Sequence, residues 1–410
     1  MADDKMNNNE NKDKKINKAF STSETIVLVI ISLIVGLSIG FLNNNRETRV
    51  NKTIEDKYLN EFIKNYNYVL DNYYEDVDKE SLINSAIAGM MKSLNDPYSV
   101  YIDENQSNNF SITLNGSYEG IGVQIIKDEK TGYMIITGVF KNSPAHESGL
   151  VPGDMIISID DTLSKNLSTS EFSNIIKTSE KKDYKLKVLR NGEELEISIS
   201  RDLVTLSSVA SEFYEQNNKK IGYIYIGIFA NNTYEQFKKE LEGLESKNID
   251  YLVIDVRGNT GGHLTAVDSI LDLFLNNKQV MYQFERSNIK TPIYGKGNKN
   301  KNYKVLLLGD ETSASASEVL ISGLKENLNC TFIGKKTYGK GTVQELVTLS
   351  DGTQYKITTK KWLTPKGNWI NNTEGIIPDI EVDLDQKYYE TFDTKDDSQL
   401  QYALNYIKDN

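Results

Sequence analysis

The sequence predicts a multidomain α/β protein carrying an inserted β-rich module. Three observations predict it. Between residues 220 and 382 a strand, turn and helix unit recurs, the pattern of an α/β core with parallel strand pairs. Between 115 and 200, short alternating segments are separated by glycine-bearing turns, the pattern of a small β domain. Ahead of both lie a charge-free apolar run and then two stretches with helical spacing.

No charge occurs between Glu24 and Arg46, and Ile26 to Leu42 is almost wholly apolar. About 17 helical residues are just enough to cross a hydrocarbon core of ~30 Å. The run ends in Phe41-Leu42-Asn43-Asn44-Asn45 without a small-residue cleavage pair. An uncleaved transmembrane anchor over 25–42 is therefore expected in preference to a signal peptide. Lys5, Lys12, Lys14, Lys15 and Lys18 precede the run, and Arg46, Arg49, Lys52 and Lys57 follow it. The charge bias is slight, and the expected orientation leaves residues 1–24 as a cytoplasmic tail with the rest outside. Residues 43–112 are expected to be helical. Phe62, Tyr66, Val69, Leu70 and Tyr73 fall near helical spacing, as do Leu82, Ile83, Ala86, Ile87, Met90, Met91 and Leu94. Asp96-Pro97 stops the second helix. The region reads equally as a spacer or as a dimerisation surface.

Residues 113–202 form the β-rich module. Gly120-Ile121-Gly122-Val123 opens a strand, Tyr133 to Phe140 is a second, and a short helix follows Pro144 and closes at Gly149. Pro152-Gly153-Asp154 turns into the strand Met155 to Ile159. Ser168 and Glu171 form a capping box ahead of Phe172, Ile175 and Ile176. Two alternating strands flank Asn191-Gly192, the preferred type I′ pair. The whole resembles a PDZ domain, a module that captures free C-termini by adding the peptide as a strand. The resemblance implies that the backbone of Gly120, Ile121, Gly122 and Val123 forms the nest for the peptide carboxylate.

Residues 203–385 carry the α/β core, and 386–410 a C-terminal helical segment. Strands are expected at Ile221 to Phe229, Tyr251 to Val256 and Val305 to Gly309, with helices over Leu264 to Leu275 and Val319 to Glu326. Thr233 and Gln236 are expected to cap the helix bearing Phe237, Leu241 and Leu244. Sites in such folds gather at the carboxyl ends of the strands. The glycine turn Asp255-Val256-Arg257-Gly258-Asn259-Thr260-Gly261-Gly262-His263 and the segment Ser313-Ala314-Ser315-Ala316-Ser317-Glu318 both fall there.

Serine needs a base to become a nucleophile, and histidine is the usual one. The chain of 410 residues has only His146 and His263. A lysine does the same work once burial keeps it neutral, and Gly339-Lys340-Gly341-Thr342-Val343-Gln344 supplies one. Ser315 with Glu318 also reads as a plain capping box, and Ser313 and Ser317 compete for the nucleophile role. The run Gly334 to Lys340 matches a phosphate loop, but Gly341 stands where a magnesium-binding Ser or Thr is required and a strand follows in place of a helix. A net charge of −11 argues against a nucleic-acid partner, and the single Cys330 forms neither an internal disulfide nor a thiolate cluster. No metal or cofactor is expected.

Together these segments resemble the carboxyl-terminal processing proteases, the tail-specific S41 serine peptidases with a crotonase-like core. The resemblance also covers Asp96-Pro97-Tyr98-Ser99 and Gly375-Ile376-Ile377-Pro378-Asp379. It implies Ser315 as nucleophile, Lys340 as base and Gln344 as the residue orienting the lysine. It places the oxyanion hole at the backbone N–H of Ala316 with Gly261 or Gly262. Thr260 and His263 depart from the family pattern. Protein substrates with free C-termini, a gating role for the PDZ module and a homodimer supported by helical ends such as Leu400 to Ile407 are further implications. The competing reading is a catalytically silent binding protein that kept the fold.

Overall fold

The structure, a computed structural model, describes residues 57–102, 112–297, 301–349, 353–372, 374–391 and 393–409. The expected anchor over 25–42 and the tail before it lie outside the described residues. Among the described residues no helix is long and apolar enough to cross a membrane. The chain divides into two units, Met1–Ala86 and Ile87–Asn410. In the first, α1 (Lys57–Asn72) is amphipathic yet buries no residue, leaving Leu59, Phe62, Ile63 and Val69 exposed. A second helix, α2 (Lys79–Ser93), begins in this unit. In the second unit, after Asp96-Pro97, β1 (Val100–Ile102) starts the chain's extended structure.

The β module follows in the order β2 (Ser117–Gly120), β3 (Val123–Lys127), β4 (Met134–Val139), α3 (Pro144–Glu147), β5 (Met155–Ile159), β6 (Thr162–Leu163), α4 (Thr169–Thr178), β7 (Asp183–Arg190), β8 (Glu193–Ser200) and β9 (Asp202–Thr205). Its sheet runs β3-β4-β5-β7-β8, so β3 lies at an edge. Alternation along β7 sends Tyr184, Leu186 and Val188 inward onto Met134, Ile136, Ile156 and Phe172. The Ser168–Glu171 capping box closes in both directions, at 3.2 and 2.7 Å. Asn191 and Gly192 both take positive φ, as a type I′ turn requires. A two-stranded ribbon of β2 and β9 leads the module into and out of the core.

The core contains β10 (Val209–Gln216), β11 (Lys219–Ile226), α5 (Thr233–Glu245), β12 (Tyr251–Asp255), α6 (Leu264–Leu271), β13 (Val280–Arg286), β14 (Ile289–Tyr294), β15 (Lys304–Gly309), α7 (Ala316–Leu328), β16 (Thr331–Gly334), β17 (Thr342–Thr348), β18 (Gln354–Leu363), β19 (Ile380–Glu381), α8 (Gln386–Thr391) and α9 (Ser398–Asp409). One sheet runs β10-β11-β12-β15-β16-β19 and is parallel after the β10–β11 pair. β12 is buried at every position, as a parallel strand covered on both faces must be. A second, antiparallel sheet orders β1-β18-β13-β14, with β17 paired to β18.

Two expectations need correction. Thr233 and Gln236 do not cap α5, whose N-cap Asn232 makes no side-chain cap bond. The Thr233 hydroxyl is 2.8 Å from that of Ser208, and Gln236 accepts from Ser208 N–H and donates to Leu206 O. These side chains fasten the strand that returns from the β module. The face of α9 offered by Leu400, Ala403, Leu404 and Ile407 is buried against Ile221, Val253, Leu306 and Ile333 of the parallel sheet. That face is therefore closed to a second copy of the chain.

A charged pair locks the β module. Asp154, with no exposed surface, accepts from Arg190 Nε at 2.6 Å and Nη2 at 2.7 Å, and from Val151 N–H at 3.0 Å. Burial pushes this carboxyl up, but the Arg190 bonds, the amide and the nearby positive charge hold it below its ordinary value. Its contribution to stability is present above the unfolded-state value and is lost as pH falls through the lowered one. Asp154→Ala should lower the module's stability by about 2 kcal/mol, since Arg190 stays partly hydrated when unpaired. Hydrogen exchange should accelerate in β5 and β7 while β12 stays protected; equal exchange in both would contradict this.

Candidate active site

Three strand ends build the site. β12 ends at Asp255 and enters the glycine turn, β15 ends at Gly309 and enters the serine segment, and β16 ends at Gly334 and enters the lysine loop.

An ion cluster fixes the glycine turn. Arg257 Nη2 lies 2.8 Å from Asp397 Oδ2, and its Nε donates to both oxygens of Asp255 at 3.0 and 2.9 Å. Tyr223 and Gln399 complete the cluster, at 2.7 Å from Asp255 and 3.0 Å from Arg257. Burial disfavours the guanidinium, but the two carboxylates more than offset it and hold it charged. Asn259 is fully buried; its side chain donates to Ile226 O and accepts from Gly261 N–H at 2.8 Å. Gly261 has φ 111°, and a side chain there would meet Ser315 Cβ at 3.0 Å. The turn thus lies directly against the serine.

The three serines separate once they are placed. Ser313 is fully buried, donating to Val256 O at 2.8 Å and accepting from Asp310 N–H. Ser317 is fully buried and donates to Asn259 O at 2.8 Å. Both hold the serine segment against the glycine turn. Ser315 alone of the three reaches solvent. It takes φ 55° and ψ −113° at the N-cap of α7, a conformation that costs a non-glycine residue of order 1–3 kcal/mol and clusters at functional sites.

Glu318 explains how that conformation is held. Its carboxylate is fully buried and accepts four hydrogen bonds. Ser315 N–H and Lys340 N–H reach Oε2 at 2.8 and 2.9 Å, while Gly339 N–H and the Thr337 hydroxyl reach Oε1, each at 2.6 Å. Two amides bonded to one oxygen have nitrogens within about 6 Å of each other. The backbones of Ser315 and Lys340 are therefore neighbours, although 25 positions apart in sequence. Burial pushes the Glu318 carboxyl up, and the four donors oppose it.

The lysine loop is supported from its far side. Trp362 Nε1 donates to Lys340 O at 2.8 Å, and Trp369 Nε1 to Gly341 O at 2.9 Å. Gly341 N–H donates to Asn371, and a side chain at Gly341 would strike Trp369 at 2.6 Å. β17 follows, so the phosphate-loop reading fails on its missing helix. Lys340 Nζ makes no hydrogen bond among the described residues and lies over the ring of Tyr98, 4.6 Å from its centroid. Burial and then the charge of Lys356 lower the amine to about 8; Asp96 and Glu318 pull the other way. Gln344 donates its amide NH₂ to the hydroxyls of Thr342 and Thr358 at 3.0 and 3.1 Å. No hydrogen bond joins it to Lys340 among the described residues, and its oxygen is left as the acceptor.

Of the expected oxyanion donors, Gly261 N–H is taken by Asn259. Gly262 carries φ 139° where its Cα packs on the backbone of Phe229, and its N–H and that of Ala316 have no partner among the described residues. His263 is partly buried, burial lowers its pKa, and its Nε2 has no hydrogen-bond partner among the described residues, Ser315 included. In the β module, Ile121 and Gly122 donate neither N–H to another described residue, while their carbonyls accept from Ala145 and Phe140. These free donors sit at the start of the edge strand β3, where an added peptide strand would end.

Sequence reasoning missed Tyr98, Asp96 and Lys356 at the lysine. The motif Asp96-Pro97-Tyr98-Ser99 was visible, but nothing in its spacing ties it to a residue 242 positions later. Ser99 makes the link, accepting from Thr358 N–H on β18 at 3.0 Å and donating to Asp96 at 2.6 Å. Glu318 was legible only as a cap. Glu318→Ala strands three amides and a hydroxyl and should cost at least about 3 kcal/mol. Thermal melts should register that loss, and a melt within 1 °C of the parent would contradict the hub assigned to Glu318.

Sequence comparison agrees with this architecture. Residues 220–382 match peptidase family S41, 120–200 match the PDZ domain, and 40–106 match the activating protease CtpB N-terminal domain. The carboxy-terminal processing protease CtpB of Bacillus subtilis (strain 168) is 40% identical over 334 residues, covering 80% of this chain and 68% of that protein. The carboxy-terminal processing protease CtpA of the same strain is 33% identical over 363 residues, covering 87% and 76%. Among solved structures, a photosystem II D1 C-terminal processing protease aligns over 78% of this chain and 86% of its own, at 24% identity and a TM-score of 0.47.

Proposed function

This chain belongs to peptidase family S41, the carboxy-terminal processing serine proteases, and we propose that it cleaves proteins with Ser315 as nucleophile and Lys340 as base. The observation carrying this reading is the shared Glu318 oxygen, which brings together the backbones of the one serine of the segment that is not fully buried and of a half-buried lysine. A lysine side chain spans about the same distance, and in this reading a change of rotamer carries Nζ to Ser315 Oγ.

In the reaction, neutral Lys340 takes the Ser315 proton as Oγ attacks the scissile carbonyl. The C–N bond breaks as the lysine returns the proton to the leaving amine. Water, deprotonated by the same lysine, then hydrolyses the acyl-enzyme. The Ala316 and Gly262 N–H groups face the developing oxyanion at the N-terminus of α7, where the helix field favours negative charge. Gln344, its nitrogen held by two threonines, offers its oxygen to orient the amine. The substrate presents its C-terminus along β3, its carboxylate on the Ile121 and Gly122 amides between Gly120 and Val123.

The lysine must be neutral to act, so turnover should rise with pH along a limb near the value of about 8. Lys340→Ala should reduce cleavage of an unfolded test protein by at least about 10³-fold while the fold is kept. Lys356→Gln removes a repelling charge and should move the limb to higher pH. A silent binding protein would show no turnover to lose, and an unmoved limb in Lys356→Gln would contradict the electrostatic account.

We further propose that Ile26 to Leu42 anchors the chain in the cytoplasmic membrane with its catalytic part outside, and that the exposed apolar face of α1 pairs with a second copy. The full chain should pellet with membranes, resist carbonate washing, and run in detergent at twice its monomer mass by light scattering. Release by carbonate would remove the anchor, and a monomer at micromolar concentration would remove the dimer.

A further inference from the structure

We propose that Tyr98 is a positioning residue for Lys340: its ring face parks the amine as an ammonium in the resting enzyme, and its loss releases that amine towards Ser315. The inference rests on the reading of Ser315 and Lys340 as nucleophile and base.

Lys340 Nζ is 4.6 Å from the Tyr98 ring centroid and has no hydrogen-bond partner among the described residues. The face of an aromatic ring attracts a cation and offers little to a neutral amine. Parking and protonation are therefore coupled: once the amine loses its proton, the ring no longer holds it. The ring is itself fixed. Pro97 sets the turn, Asp96 accepts from Tyr98 N–H at 3.0 Å and from Ser99 at 2.6 Å, and Ser99 is bonded to β18. The Tyr98 hydroxyl sits 3.5 Å from that of Tyr338 on the lysine loop.

The charged and titratable groups facing the amine divide into two sets. Asp96, ahead of β1, and Glu318, on α7, favour the ammonium, as the Tyr98 ring does. Lys356, on β18, opposes it, and so does burial. Tyr338 faces the Tyr98 hydroxyl from the lysine loop. Within that balance the ring discriminates most sharply by position, since a cation–π contact acts only within about 6 Å of the ring centroid.

The test is the pH profile of the full-length enzyme on labelled casein, with phenylalanine and progressively fluorinated phenylalanines at position 98. Fluorination keeps the ring's shape and drains the negative charge from its face. The parent Tyr98→Phe variant should keep the native limb. Each added fluorine should move the acid limb to lower pH, by a two- to tenfold change in proton affinity across the series. A limb that stays fixed while fluorine accumulates overturns the proposal, as does a Tyr98→Phe limb displaced as far as the fluorinated ones. A merely structural role would lower turnover at every pH and leave the limb in place. Lys340→Ala, measured alongside, separates the two levels. If it retains turnover, the base assignment falls and this inference with it; if it is inactive while the limb ignores fluorination, only Tyr98 loses its role.

Discussion

The rest of the site depends on one buried carboxylate. Glu318 stands three residues inside α7 and receives hydrogen from Ser315, Thr337, Gly339 and Lys340. Such a group is costly to bury and stays only when every lone pair is used. Those four bonds cannot all be made unless the lysine loop lies against the start of α7. The carboxylate thus converts two separate loops into one object. It also restrains Ser315 in its unusual backbone conformation, because the Ser315 amide must face inward. Strain at one residue is tolerated where its neighbours leave it no alternative.

Around that fixed frame the lysine side chain is the adjustable part. Its backbone is held by Glu318 on one side and by Trp362 on the other, yet its amine has only a ring beneath it. Burial and Lys356 favour the neutral amine; Asp96, Glu318 and Tyr98 favour the charged one. An amine poised between the two forms near working pH meets the requirement of the proton transfer proposed for it. The glycine turn completes the arrangement differently, through the ion cluster of Arg257 with Asp255 and Asp397. Asp397 also accepts from Leu400 N–H at the start of α9, so the last helix of the chain reinforces the turn that faces the serine.

Much of this was legible because local chemistry and global fold agree. The alternation of β7, the Asn191-Gly192 turn and the Ser168–Glu171 box each specify their own structure with neighbouring residues alone. The serine and lysine segments were legible as candidates because few other residue types do their chemistry. What failed were pairs whose partners come from afar. Thr233 and Gln236 look like a cap, but Ser208 competes for both and wins. Gly261 differs for a nearer reason: it has the freedom of an oxyanion donor, but Asn259 two residues earlier takes its N–H. The apolar stripe of α9 predicts burial without saying against what, and the parallel sheet of the same chain is what covers it. Tyr98 was invisible as a neighbour of Lys340 because contacts between distant segments, the β1–β18 pairing and the Ser99–Thr358 bond, bring them together.

The central claim is that Lys340 carries an amine able to lose its proton near neutrality inside this frame. The direct measurement is a ¹³Cε titration of Lys340 by NMR in the Ser315→Ala variant, assigned by its absence when Lys340→Ala is added. The account predicts a midpoint near 8. A resonance that stays protonated to the ordinary lysine value of about 10.4 would contradict it.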